Sequence, residues 1–411
     1  MTWEHLHNSA RMFFRGALSD RFHINYEKLR GILMSGKAKK ILPIMASLLV
    51  FALALTGCGA SGSSNDILIG VMTPTSGSMA YYGKDMNQAY QLAADQINAK
   101  GGVLGRQLKL FFADDGGDAS IAANAAAKII AQKPNFVIGG YSSNCVMAAM
   151  KPFYDANLLF MTTSANSTDI TKLNLNNTFM LNSPATQQVE TLMPLLTQLN
   201  LKNVALINQG DAYTKNLSDL CQTELPQNGF SIATVQVMEQ GIPDISPIVT
   251  AIKNSGADCV YWCGYFADGS NVVKQLKAGG FTGQIIASDG NSSTDFITGC
   301  GSAGDGVYVV AAPYAQYVSG GAQFISDYQA KYNQAPGAYA SVSYDGMYVL
   351  AKAIENAGTT DYTTVRDAVQ NIDYQGISGH IKFTADRELQ DSNFIILQIE
   401  GGQFQLVPLN K

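Results

Sequence analysis

The chain has 411 residues, of which 46% are hydrophobic and 14% are charged, and its formal net charge is −5. This length exceeds that of one ordinary hydrophobic core and predicts two lobes, and the apolar content excludes a disordered chain. Residues 58–411 carry 19 basic and 29 acidic side chains without a basic cluster, which argues against binding to nucleic acid or to an anionic lipid surface.

An uncharged apolar run occupies residues 41–57 and follows three lysines between residues 37 and 40. The run is shorter than the ~20 residues of a spanning helix, and a basic start with small residues at the end is typical of a secretory signal peptide. Residues 55–58, Leu-Thr-Gly-Cys, match the bacterial lipobox, which predicts cleavage before Cys58 and a diacylglyceryl group on its sulfur. A plain N-terminal membrane anchor is the alternative interpretation.

The segments on either side of this run are also interpreted from composition. Residues 1–33 contain acidic, aromatic and histidine residues that do not fit a signal peptide, whereas Met34 begins a compact basic segment. We expect translation to start at Met34, with residues 1–33 a non-native extension and residues 34–57 the signal peptide. Residues 58–65 are rich in Gly and Ser after the lipidated cysteine, and we expect them to form a flexible tether.

Strands and helices alternate from residue 66 onward. Short apolar runs that are typical of buried strands occupy residues 67–72, 108–113, 136–138, 158–161, 204–208, 232–237, 259–262 and 284–287. Apolar residues at helical spacing lie between them, at 85–98, 119–131, 145–156, 187–198, 213–228, 245–255 and 270–278. This alternation predicts parallel sheets with helices on both faces, in two sets that form two lobes.

The loops that follow these strands share one chemistry, made of hydroxyl, amide and aromatic side chains with one acid and no Arg, Lys or His. Hydroxyls and free N–H groups at a helix N-terminus, as at residues 142–144, bind an anion, and Asp289 among aromatic rings suits a primary ammonium. Ligands of such sheets bind beyond the carboxyl ends of the strands, so we expect a zwitterion held between the lobes. Helix capping and an Asp-Gly turn explain each feature equally well alone, but their repetition favours binding.

The inventory of reactive side chains argues against an enzyme and against a metal site. His380 is the one histidine after residue 23, and it lies in a strand-like run where a surface role is commoner than a catalytic one. Five cysteines follow Cys58 without a CxxC pair, and we interpret them mostly as small buried hydrophobic side chains. No cofactor is expected, because two GxGxxG matches, at 57–62 and 299–304, do not lie between a strand and a helix.

Several motifs occur in an order that indicates a known family. The most specific is Ile-Asn-Ala-Lys-Gly-Gly-Val-Leu-Gly-Arg at 97–106, and the others are Ile-Gly-Val at 69–71, Thr-Ser-Gly at 75–77, Tyr-Gly at 82–83, Asp-Asp at 114–115, Val-Ile-Gly at 137–139 and Gly-Ile-Ser-Gly at 376–379. With them, residues 66–405 resemble the extracytoplasmic solute-binding proteins of branched-chain amino acid ABC transporters, the Leu/Ile/Val-binding type.

The resemblance implies an α/β fold of the type I periplasmic binding protein class, in which three hinge crossovers join two doubly wound parallel-sheet lobes. The first lobe would comprise residues 66–183 plus 314–374, and the second residues 184–313 plus 375–411. The crossovers would then fall near Ser183, Pro313 and Tyr374.

The resemblance also implies binding roles for the matching positions. Ser143 lies where the family places a hydroxyl on the ligand carboxylate, and Asp289 lies where an acid, commonly Glu, holds the ammonium. Ser164 and Asn166 lie where the family uses a backbone group and a Thr, respectively, to contact the carboxylate and the ammonium of the ligand. The remaining predicted binding residues are Tyr82, Ser142, Ala165, Tyr213, Tyr265 and Tyr339.

Two positions depart from the family pattern. Tyr141 stands where a smaller apolar residue is usual, which implies a different side-chain pocket. The frequent disulfide of the first lobe is missing, because its positions carry Gly117 and Ser142.

The expected function is therefore that of the substrate-binding component of an ABC importer, which takes up a free amino acid, branched-chain or aliphatic, and delivers it to permease subunits. The protein would be a monomer outside the cytoplasm, anchored to the membrane through Cys58, with no cofactor, catalytic activity or nucleic acid partner. A lipid-anchored amino-acid or amide sensor with the same fold is the alternative. A secreted hydrolase is less favoured because only one histidine remains.

Overall fold

The computed structural model describes residues 66–410. The predicted signal peptide, Cys58 and the tether lie outside the described residues. Between residues 66 and 410, no helix is long and apolar enough to cross a membrane.

The first sheet contains five parallel strands, which are β1 (Ile67–Thr73), β2 (Leu108–Asp114), β3 (Phe136–Gly139), β4 (Phe160–Thr162) and β5 (Thr178–Met180). Their order is β2-β1-β3-β4-β5. Every residue of β3, β4 and β5 is buried, as expected for a parallel sheet with helices on both faces, although β5 lies at the edge of the sheet.

The remaining strands are β6 (Asn203–Asn208), β7 (Ser231–Val237), β8 (Cys259–Cys263), β9 (Gln284–Ala287), β10 (Tyr308–Ala311), β11 (Asp373–Gln375), β12 (His380–Lys382), β13 (Ile395–Glu400) and β14 (Gln403–Leu406). Seven of them form the second sheet, in the order β14-β13-β10-β9-β8-β6-β7, while β11 and β12 pair as a separate antiparallel ribbon. The strands from β6 to β10 pair in parallel, and β13 joins β10 in the antiparallel sense.

The helices of the described region are α1 (Ala80–Ala99), α2 (Ala119–Ala131), α3 (Ser143–Asp155), α4 (Asp169–Lys172), α5 (Ala185–Gln198), α6 (Ala212–Gln227), α7 (Ser246–Asn254), α8 (Phe266–Ala278), α9 (Thr294–Cys300), α10 (Gly321–Tyr332), α11 (Ala340–Ala357) and α12 (Tyr362–Gln370). The Asp118 and Asp211 carboxylates cap α2 and α6 by accepting hydrogen bonds from first-turn N–H groups. Because α11 packs against both α1 and α12, the chain returns to the first sheet after β10. We call the five-stranded sheet with α1–α4 and α10–α12 the first lobe, and the seven-stranded sheet with α5–α9 the second lobe.

Two of the predicted hinge crossovers fall in connections between the sheets, but the third needs correction. Residues after Tyr374 remain against the first sheet, since the Met180 N–H donates to the Arg387 carbonyl oxygen at 2.9 Å. The chain reaches the second sheet only at β13. We therefore infer that the third crossover lies near Asn393, whose N–H donates to Ser183 Oγ at 2.8 Å.

The end of β3 is shaped by two glycines with positive φ, +130° at Gly139 and +77° at Gly140. A Cβ on Gly139 would lie 2.2 Å from the Met72 carbonyl oxygen of the neighbouring strand. Only glycine tolerates this conformation and this approach together. The turn directs Tyr141 and the start of α3 into the space between the lobes.

Candidate functional site

The carboxyl ends of strands from both sheets meet around one small cavity. From the first lobe, residues after β3 and β4 reach it, and from the second lobe, residues after β6, β8 and β9. The residues that line it are Tyr141, Ser143, Ser164, Ala165, Asn166, Tyr213, Tyr265, Asp289, Gly290 and Tyr339. This is the edge of the sheets at which doubly wound folds bind ligands.

The structure brings eight of the ten predicted binding residues to this cavity and places the other two just behind it. The Tyr82 ring is fully buried, and its hydroxyl donates to the Gly290 carbonyl oxygen at 3.0 Å. Ser142 is the buried N-cap residue of α3 and does not line the cavity. The binding roles of all ten remain predictions, whereas Tyr141 and Gly290 are lining residues that the predicted set omitted.

Asp289 is the centre of the site and is 2% exposed. One carboxylate oxygen accepts hydrogen bonds from the Tyr213 hydroxyl and, at 3.2 Å, from the Gln188 amide. The other accepts from the Asn166 amide at 3.0 Å and from the Tyr339 hydroxyl at 3.1 Å. All these donors are neutral, so the carboxylate is solvated by the protein without a cationic side chain among the residues that line the cavity.

Burial raises the pKa of Asp289, and the hydrogen bonds from Tyr213 and Tyr339 partly offset this effect. A buried carboxylate in neutral surroundings is stabilised strongly by a cation, because attraction between charges is large where water is excluded. The site therefore favours a ligand that brings a positive charge to Asp289.

The opposite side of the cavity is the N-terminus of α3. The first N–H groups of a helix have no partner within the helix, and they carry the positive end of its dipole. Ser143 Oγ lies at this end and accepts a hydrogen bond from the Ser167 N–H at 3.3 Å. These groups suit an anion, so the two ends of the cavity have complementary chemistry for a molecule with both charges.

Hydrogen bonds join the lobes around the cavity. The Ala212 N–H of the second lobe donates to Asn144 Oδ1 at 3.1 Å, and Ser167 Oγ donates to the Ala212 carbonyl oxygen at 3.1 Å. The space enclosed by the lining residues is about 10 Å³, room for one water molecule at most. A ligand the size of an amino acid does not fit this space in the arrangement of the lobes seen here.

A larger surface groove of about 610 Å³ lies beside α1, between Lys84 and Phe112. Its lining residue Tyr81 contacts the Phe266 ring after β8 at a centroid distance of 6.4 Å, but none of the lining residues is a buried charged group. We therefore assign function to the smaller cavity, where buried charge and converging polar groups coincide.

The other reactive residues lie outside the cavity. The His380 ring contacts Asp373 at 2.9 Å and Asp391 at 2.8 Å at the protein surface. The five cysteines among residues 66–410 are buried free thiols. In the same range there is no cluster of His, Cys, Asp and Glu that could hold a metal ion.

Proteins of similar sequence are named as amino-acid-binding proteins. A protein named Leu/Ile/Val-binding protein BraC3 from Rhizobium johnstonii is 29% identical over 82% of this chain and 93% of its own length. The leucine-, isoleucine-, valine-, threonine- and alanine-binding protein of Pseudomonas aeruginosa is 23% identical over 86% of this chain and 95% of its own.

A solved structure, the branched-chain amino acid transporter substrate-binding protein LivJ of Streptococcus pneumoniae in complex with isoleucine, superimposes with a TM-score of 0.75. It is 24% identical in sequence, and the match covers 83% of this chain and 98% of LivJ. The sequence model of the periplasmic binding protein family matches residues 66–403. The chain belongs to the periplasmic binding protein family and has its type I fold.

Proposed function

We propose that this protein is the substrate-binding component of an ABC importer, which closes its two lobes on a free α-amino acid and delivers it to permease subunits. The observation that carries the proposal is Asp289, a buried carboxylate without a cationic partner among residues 66–410, across the cavity from the N-terminus of α3. The named ligands of the relatives, from leucine to alanine, support an α-amino acid as the ligand class.

In this proposal the ligand ammonium replaces neutral donors at Asp289. Asn166, whose amide already reaches Asp289 at 3.0 Å, would contact the ammonium through its oxygen after rotation of the side chain. The ligand carboxylate would accept hydrogen bonds from the Ser143 hydroxyl and the first N–H groups of α3. Tyr213, Tyr265 and Tyr339 would then exclude water from both charges.

Closure would depend on the ligand because each lobe holds one of its charges. The ligand would stabilise the closed arrangement by as much as its affinity for that arrangement exceeds its affinity for separated lobes. A closed, loaded protein would present both lobes together to the permease, and release would return the amino acid unchanged. In this proposal the protein is a binding protein rather than an enzyme.

The location follows from the family and from the N-terminal sequence. Periplasmic binding proteins act outside the cytoplasm, and the lipobox at residues 55–58 extends the proposal to a monomer anchored to the membrane by lipid on Cys58. Mass spectrometry of the N-terminal peptide of the mature protein tests the anchor, because a peptide without diacylglyceryl cysteine contradicts it.

Isothermal titration of the purified full-length chain against the twenty common amino acids tests the binding function. At least one should bind with micromolar affinity or better, and its N-acetyl and amide derivatives should bind at least about 100-fold more weakly, because each lacks one of the two charges. Equal binding of the derivatives, or no binding by any amino acid, would contradict the proposal. Unchanged ligand recovered after prolonged incubation, checked by NMR, would separate binding from turnover.

A further inference from the structure

Tyr141 differs from the other tyrosines of the site in its hydrogen bonding. The hydroxyls of Tyr82 and Tyr339 donate to Gly290 and Asp289, and the Tyr265 hydroxyl donates to Asp211 at 3.3 Å. The Tyr141 hydroxyl is buried and has no hydrogen-bond partner within 3.5 Å among the described residues. Burial and the charge of Asp289 raise the pKa of Tyr141, and the interaction of its hydroxyl with the Tyr82 hydroxyl lowers that pKa in part. A buried hydroxyl without a partner is costly, so this group favours a ligand that supplies one.

The ring of Tyr141 is held within the first lobe. It stacks on Tyr82 with a centroid distance of 4.6 Å and an interplanar angle of 19°, and it meets the edge of Tyr339 at 5.5 Å. These neighbours come from α1 and from the start of α11, so separation of the lobes would leave the three rings together. The ring thus occupies volume on the side of the cavity beside Ser143, and it also contacts the Tyr265 ring of the second lobe at a centroid distance of 6.2 Å.

The walls of the cavity are polar or aromatic. Among the residues that line it, the only aliphatic side chain is the methyl group of Ala165, and the others are Tyr, Ser, Asn, Asp and Gly. A leucine side chain would either displace the Tyr141 ring from its stack or cover the hydroxyl without bonding it. A site that holds an unpaired buried hydrogen-bonding group discriminates against ligands that leave it unpaired.

The geometry points to an α-amino acid with a short side chain that carries a hydrogen-bonding group, such as serine, threonine or asparagine, with Tyr141 as the residue that selects it. This inference rests on the proposed function and names its ligand class. In this arrangement the Tyr141 hydroxyl bonds the hydroxyl or amide of the ligand side chain, while Asp289 and the N-terminus of α3 hold the charged groups. Tyr141 therefore sets the choice of ligand without contributing to the recognition of its charges.

The test compares full-length wild type with Y141F and Y141L by titration with the twenty amino acids. Wild type should bind serine, threonine or asparagine at least about tenfold more tightly than leucine, isoleucine, valine or phenylalanine. The Tyr141→Phe variant keeps the ring and should lose about tenfold for the preferred polar ligand, the effect of one hydrogen bond, with less than a threefold change for alanine. Tyr141→Leu should reverse the preference toward leucine.

Tyr317→Phe is the matched control, because its hydroxyl bonds the Phe404 carbonyl oxygen at 2.7 Å, away from the cavity. It should bind as wild type does, and thermal unfolding should show that every variant is folded. Tighter binding of aliphatic or aromatic amino acids by wild type, or full affinity of Tyr141→Phe for the polar ligand, overturns this inference while amino acid binding stands. If no amino acid binds wild type, the proposed function fails together with it.

Discussion

The two lobes contribute opposite chemistry to the same cavity. The first lobe supplies neutral donors, namely the Ser143 hydroxyl and the N-terminus of α3, together with the stacked rings of Tyr82 and Tyr141. The second lobe supplies the buried acid, Asp289. In the proposed function neither lobe alone would offer partners for both charges of an amino acid, so binding of the ligand and contact between the lobes would be one event.

The largest expected effect comes from removing the acid of the second lobe. Asp289→Ala should weaken binding of the preferred amino acid by at least about 100-fold, since the buried ammonium would have no charged partner. Titration calorimetry measures this loss. The control is Asp305→Asn, an exposed carboxylate of the second lobe that accepts from the Gly401 N–H at 3.1 Å. If Asp289→Ala binds the amino acid within a few-fold of wild type, Asp289 does not hold the ligand ammonium.

A smaller effect is expected from the anion end in the first lobe. Ser143→Ala should weaken binding about tenfold, because one hydrogen bond to a charged group is lost while the helix N–H groups remain. Ser142→Ala is the neighbouring comparison, and since Ser142 does not line the cavity its effect should stay below about threefold. If Ser142→Ala loses more affinity than Ser143→Ala, the ligand carboxylate contacts Ser142 rather than Ser143.

Three buried carboxyl groups of the first lobe link the stability of the protein to pH. Burial raises the pKa of Asp85, Asp115 and Asp345 in the first lobe to about 6 in each case. In the unfolded chain an Asp titrates near 3.9, so at pH 5 the folded state holds protons that the unfolded state has released. The resulting stabilisation is full below the unfolded pKa and is lost as the pH rises through about 6.

The free energy of unfolding should therefore rise from pH 7 to pH 5, by about 1 kcal/mol for each of these groups. Urea denaturation at the two pH values measures it. Asp115→Asn should remove about one such increment from the difference, because Asp115 is fully buried and one of its oxygens has no hydrogen-bond partner. Equal pH dependence in wild type and variant would contradict the assignment to Asp115.

The smallest effect concerns His380 in the ribbon near the inferred third crossover. Hydrogen bonds from the ring to Asp373 and to Asp391 raise its pKa above the usual value. Asp391→Asn should lower that pKa, and an NMR titration of the ring follows it directly because His380 is the one histidine after residue 23. An unchanged pKa in the variant would show that Asp391 does not interact with the ring in solution.

The sequence predicted the elements with strong periodicity, and the loops it singled out after strands supply most of the residues that line the cavity. The predicted helix at 119–131 agrees with α2, whose Asp118 cap is explicit in the sequence. In contrast, α1 begins at Ala80, five residues before the predicted start. The sequence shows no sign of this start, because Met79 provides no side-chain cap and the first turn contains Gly83. Short strands such as β5 escaped prediction because three residues carry no periodicity.

At the site, too, some features could be predicted from the sequence and others could not. Seven of the eight predicted residues in the cavity follow strands, because parallel strands bring their following loops to one edge, whereas Tyr339 precedes α11. The unpartnered hydroxyl of Tyr141 could not be predicted, since it depends on where the Tyr82 hydroxyl and Asp289 come to rest. The crossover that we infer near Asn393 differs from the one predicted near Tyr374, because the hydrogen bond between Met180 and Arg387 joins residues more than 200 positions apart.

The neutral donors around Asp289 have a consequence for release. Because Gln188, Asn182 and Asn166 already direct amide protons at this carboxylate, an arriving ammonium competes with groups of the protein itself. The free energy gained when the ammonium binds is therefore only the difference between its interaction with Asp289 and that of the amides, and this difference limits the affinity. In the proposed function the same amides would return to the carboxylate when the amino acid leaves, which would offset part of the cost of release.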